Sequence, residues 1–107
     1  MKPEQIREIV KITIDELIKN RFINTENYQY ILKIVDKRLY KHFQKKDEKI
    51  ESVLKALADD PYIDVIYFQY KQRKTIEWIA EIMDKDVSTI KRNKKRLITE
   101  IYKNMEI

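Results

Sequence analysis

The sequence predicts an all-α fold, with an amino-terminal helical hairpin over residues 1–46 followed by a four-helix domain over residues 47–107. That second part ends in a helix-turn-helix. Glycine is absent from the 107 residues and the only prolines are Pro3 and Pro61, so tight hairpin turns and phosphate-cradling loops lack their usual residue. Apolar residues recur at spacings of three and four along the whole chain. Charged residues make up 38%, which suits helices with wide polar faces better than sheets. The hydrophobic fraction of 43% is enough for a core. Cysteine is absent, which removes disulfides and thiolate metal sites. No apolar run approaches about 18 residues and no signal-peptide pattern is present. The expected location is the cytoplasm, with no membrane partner.

The first helix is expected over residues 3–20. Pro3 suits the first helical position and Glu4 and Glu8 suit the positive end of the helix dipole. Ile6, Ile9, Val10, Thr13, Ile14, Leu17 and Ile18 give it a broad apolar stripe. A short connector with Phe22 and Ile23 turned inward leads to a second helix, which runs from a cap at Thr25 to about Gln44. Tyr28, Ile31, Leu32, Val35, Leu39 and Phe43 keep its period. The brevity of the connector makes these two helices an antiparallel hairpin. Asp47 is placed to cap a third helix over 48–58, buried through Ile50, Val53, Leu54 and Leu57. The Asp60-Pro61 pair then predicts a fourth helix over 61–71, with Asp60 as cap and Pro61 in the first position. Its inner face is Tyr62, Val65, Ile66 and Tyr70, with Phe68 at an edge. Thr75 caps a fifth helix carrying Ile76, Ile79, Ala80 and Met83 on one face.

Asp84, Lys85 and Asp86 break that rhythm, and Asp86 is placed to cap a sixth helix over 87–104. Ile90, Leu97 and Ile101 form its apolar stripe, with Ile98 on the flank. Ser88, Lys91, Arg92, Lys95, Arg96 and Thr99 lie on the other side. This short helix, turn and longer helix match the helix-turn-helix, whose second helix enters the major groove of DNA. The charge distribution points the same way. The chain has 23 Lys and Arg against 18 Asp and Glu, a net charge of +5. Lys91, Arg92, Lys94, Lys95 and Arg96 fall within residues 87–99 with no acid among them, so the rest of the sequence balances. Such a cluster suits phosphate binding through counterion release. The expected DNA-facing set is Ser88, Lys91, Arg92, Lys95, Arg96 and Thr99, with Lys85 and Lys94 reaching phosphates. Arg92 is expected to read guanine, because a guanidinium matches the O6/N7 edge bidentately.

From Asp47 onward the segments DPYIDVIYFQY, KTIEWIAEIM and DVSTIKRNKKRLI resemble region 4 of bacterial sigma-70 factors, and in particular the small phage regulators of the ArpU/RinA type that share that fold. The resemblance rests on Tyr62 and Tyr70, then Thr75, Ile79 and Ala80, then Ser88, Thr89, Ile90 and Arg92, then Lys95, Arg96 and Leu97. It covers roughly the last 60 residues, and the first 45 match only in length and helicity. Such regulators often carry glycine before the helix that begins at Thr75 and again in the central turn, where this chain has Arg73 and Asp84. The resemblance implies a DNA-binding transcription regulator of phage origin.

Other chemistry finds little support. His42 is the only histidine, and one imidazole without cysteine gives no metal nucleus. Glu77 and Glu81 read as a solvated helix face, and no serine has a plausible base, so no enzyme and no cofactor are expected. Trp78 and Ile82 lie opposite the buried face of their helix and form an apolar patch that needs cover. The amino-terminal hairpin, a second copy of the chain or RNA polymerase would each supply it. The expected partner is double-stranded DNA, with RNA polymerase and a homodimer as further candidates. A DNA-packaging subunit that marks viral DNA and a protein-interaction module are the alternative functions.

Overall fold

The computed structural model of the protein describes residues 25–105, which form five helices and no strand. These are α1 (Thr25–Gln44), α2 (Glu48–Ala56), α3 (Ile63–Ile66, continuing into a π-helical turn, Tyr67–Lys71), α4 (Ile76–Met83) and α5 (Val87–Met105). The helix expected over residues 3–20, its stripe and the connector at Phe22 and Ile23 lie outside the described residues.

Ile31, Val35 and Leu39, spaced by four on α1, are fully buried. They share one core with Ile50, Val53 and Leu54 of α2 and with Leu97, Ile98, Ile101, Tyr102 and Met105 of α5. The apolar core thus runs across residues 44–47, and α1 and α5 both contribute to it. A smaller cluster of Val65, Ile79, Ala80 and Ile90 fixes α4 against α5 and α3.

Asp47 caps α2 as its position predicts, accepting from the Lys49 and Ile50 amides at 3.0 and 3.2 Å. The same carboxylate takes a guanidinium hydrogen bond from Arg38 at 2.9 Å. The Asp47 amide donates to Nδ1 of His42 at 3.0 Å, so His42 closes the α1–α2 corner and sets its ring edge on Phe43.

The third segment differs from expectation. Pro61 lies in a turn and the α-helix starts only at Ile63. The Asp60 carboxylate accepts from the Tyr62 amide at 2.9 Å, and its carbonyl accepts from Ile63 at 3.1 Å. Beyond Ile66 the helix widens, and the Gln72 amide reaches back five residues to the Tyr67 carbonyl at 3.1 Å. Three bulky aromatics explain the widening, because they serve three neighbours and no single α-helical face presents them all. Tyr67 packs on Phe43, Phe68 on Trp78, and Tyr70 on Tyr40. The Tyr70 hydroxyl donates to Asp36 of α1.

Arg73 and Asp84 are the described non-glycine residues with positive φ, at 59° and 55°. Asp84 closes α4. Its amide donates to Glu81 at 3.3 Å and the Lys85 amide to Ala80 at 2.9 Å, the paired bonds of a Schellman ending that glycine normally makes. Asp84→Gly is expected to stabilise the fold by up to about 1 kcal/mol by relieving the left-handed Cβ clash. Urea unfolding checks this, with Asp84→Ala shifting the midpoint the other way. A glycine variant no more stable than the alanine variant would mean the turn is not strained.

Two carboxylates link stability to pH. The Arg38 guanidinium, aided by the two cap amides, holds the Asp47 carboxyl below the usual carboxylate range. Arg96 and the Tyr62 amide do the same for Asp60. A carboxyl depressed on folding stabilises above its unfolded pKa of about 3.9, and that contribution is lost as pH falls through the lower folded value. Denaturant midpoints should therefore drop below about pH 4, and less steeply in an Asp47→Asn, Asp60→Asn variant.

Candidate nucleic-acid interface

The α4–turn–α5 segment is assembled from local caps and a small apolar cluster. The Thr75 hydroxyl accepts from the Trp78 amide at 3.1 Å and starts α4. Asp84 ends it in the left-handed conformation. After two linking residues α5 begins at Val87, and the Ile90 amide donates to the Asp86 carbonyl at 3.1 Å. The Asp86 carboxylate was expected to accept from the amides of residues 88 and 89, but it is exposed and makes no such bond. The turn is instead held by backbone bonds and by burial of Ile79, Ala80 and Ile90.

The eight residues expected to face DNA divide into two groups. Lys85, Ser88, Lys91 and Arg92 are exposed on the turn and first turns of α5, with no hydrogen bond or ion pair to another side chain. The other four have partners within the protein. The Lys94 ammonium sits over the Tyr70 ring, 5.6 Å from its centroid, and burial pushes its pKa down against the pull of Asp36. It was expected to reach phosphates, yet it lies four residues from both Ile90 and Ile98 and therefore on the buried stripe. The Lys95 ammonium lies 5.1 Å from the ring centroid of Tyr28, whose hydroxyl pKa is pushed up to about 12, first by burial and then by Asp36. The Thr99 hydroxyl donates to the Lys95 carbonyl at 2.9 Å.

Arg96 is bound bidentately by Asp60, with Nη1 to Oδ2 at 2.6 Å and Nη2 to Oδ1 at 3.0 Å. Asn93 Oδ1 accepts from the Arg96 Nε at 3.3 Å, and Asn93 Nδ2 donates to the Thr89 carbonyl at 2.9 Å. Arg96 therefore straps α5 to the Asp60 corner. Its partner lies 36 residues away, and no local pattern in the sequence foretells it.

The open face has an acidic border. Glu81, Asp84 and Asp86, with Ala80, Lys85 and Thr89, line a shallow groove of about 380 Å³ beside the turn. The three carboxylates disfavour a phosphate within the groove, where Lys85 is the one cation among the described residues, and Lys91 and Arg92 offer cations outside it. Trp78 is partly buried by its own domain, with Phe68 edge-on at 5.3 Å and the Lys74 ammonium 4.7 Å from its ring centroid. Ile82 remains 56% exposed. The patch expected from the sequence is thus reduced mainly to Ile82.

No group of three or more His, Cys, Asp or Glu among the described residues is placed to hold a metal ion. No described helix is long and apolar enough to cross a membrane. Comparison with protein-family models, curated proteins and solved structures finds no match for this chain.

Proposed function

We propose that this chain is a sequence-specific DNA-binding transcription regulator that reads the major groove with the first half of α5. The supporting observation is the exposed, unengaged set Lys85, Ser88, Lys91 and Arg92 at the start of a helix whose opposite side is fixed by buried Ile90 and Ile79. The first turns of a recognition helix are the part that meets base edges. Arg92 serves as the guanine reader and Ser88 as a second base contact, while Lys85 and Lys91 meet phosphates. Arg96 serves as a strap and Lys94 as a core-facing cation, because reaching DNA would cost each its present partner.

The kinship with sigma-region-4-like phage regulators belongs to the same proposal. It draws support from Arg73 and Asp84, which stand where such regulators often carry glycine and hold the left-handed backbone that glycine favours.

Duplex binding measured against salt tests the proposal. Lys91→Ala should lower the slope of log affinity against log salt by about one unit, while Lys94→Ala should leave it unchanged. A parental slope in Lys91→Ala would place the DNA on another surface. Binding to a protein partner that is insensitive to salt, with no duplex binding, would favour an interaction module.

A further inference from the structure

A second cationic surface lies on α1. Lys33, Lys37 and Lys41 are exposed at four-residue spacing, and Lys45 continues the line just beyond the helix. The nearby acids are already engaged. Asp36 accepts from Tyr70 and Asp47 from Arg38, while Lys46 is paired with Glu48 and Glu51. Among the described residues, Lys33, Lys37, Lys41 and Lys45 have no ion-pair partner. Lys37, Lys41 and Lys45 also border an open groove of about 430 Å³ with Arg38, Lys46 and Asp47. The balanced charge of the sequence outside α5 hides this segregation.

Three of the four lysines follow a fully buried residue by two positions: Lys33 after Ile31, Lys37 after Val35, Lys41 after Leu39. Two residues turn a helix by about 200°, so the ridge points away from the core that α1 shares with α5. It is therefore a surface separate from Ser88, Lys91 and Arg92. Successive lysines are about 6 Å apart along the axis. A line of cations at this pitch suits the closely spaced negative charges of a phosphate backbone. The residues along this line are polar, and the apolar side of α1 is spent in the core. An interfacial membrane helix needs an apolar face free to enter lipid, so this ridge fits a nucleic-acid backbone better than a bilayer.

We infer that the Lys33–Lys37–Lys41–Lys45 ridge binds the phosphate backbone of a second duplex segment, without sequence preference, while α5 holds the first. This inference rests on the DNA-binding reading of α5. The test is capture of a free, labelled random-sequence duplex by protein already bound to a bead-tethered duplex, over a range of salt. The full chain is compared with a Lys33→Ala, Lys37→Ala, Lys41→Ala, Lys45→Ala variant and with the corresponding four-arginine variant. The alanine variant should still bind the tethered duplex, and its salt slope for second-duplex capture should fall by about 3–4 units, at about 0.9 per phosphate. The arginine variant should restore capture. Equal capture by the alanine variant would overturn the ridge in favour of bridging by a second copy of the chain. A parent that holds one duplex and captures no second would also overturn the ridge while leaving the α5 reading intact. A parent that binds no duplex would sink both. Ridge-dependent binding to phosphatidylserine vesicles without duplex capture would assign the ridge to lipid instead.

Discussion

Ile90→Ala is expected to lower the stability of the fold by ~2–5 kcal/mol, the range for truncating a buried aliphatic side chain. Ile90 is fully buried and shares its cluster with Val65, Ile79 and Ala80. It is the buried α5 residue of that cluster, so its loss opens a cavity between α4 and α5. Burial of a branched aliphatic side chain is worth about 1.5–3 kcal/mol by transfer alone, and an unrelaxed cavity adds to the cost. Duplex affinity should fall as well, because the first turns of α5 would no longer be held at a fixed angle to α4. Urea unfolding gives the stability change and anisotropy at low temperature gives the affinity. A loss well under 1 kcal/mol would mean that the α4–α5 contact contributes little.

Arg92→Ala is expected to cost ~1–3 kcal/mol on the preferred duplex and little on random duplex, the signature of a lost bidentate base contact. Arg92 is exposed and one turn beyond Ser88. Arg96, the other arginine of this face, is already held by Asp60 at 2.6 and 3.0 Å. Arg92→Lys should recover only part of the loss, since an ammonium cannot reproduce the planar fork. Equal losses on preferred and random duplex would reduce Arg92 to a phosphate contact.

The helices were legible because their signals are local. The caps at Asp47 and Thr75 accept the expected amides. The apolar periods placed Ile31, Val35, Leu39, Ile50, Ile79, Ile90 and Leu97 in the core, where they are buried. Much of what was not legible lies where a residue serves a distant partner. Asp60 was read as a simple cap, but its second role is to bind Arg96 across the fold. The π-helical turn at Tyr67–Lys71 reflects packing demands from α1 and α4 that no local period encodes. Lys94 was grouped with its basic neighbours in sequence, although its spacing from Ile90 and Ile98 already placed it on the inner side. Asp86 met every sequence criterion for a cap, yet its carboxylate makes no bond to the α5 amides. Summed charge concealed the ridge on α1, because a count does not show that Asp36 and Asp47, which lie near it, have Tyr70 and Arg38 as partners.

Selection from a random-sequence duplex pool tests the central claim most directly. Major-groove reading by Ser88 and Arg92 predicts that the pool converges on a short motif containing guanine, and that Arg92→Ala relaxes the preference at that one position. A pool that never converges, or a motif that Arg92→Ala leaves unchanged, would contradict it.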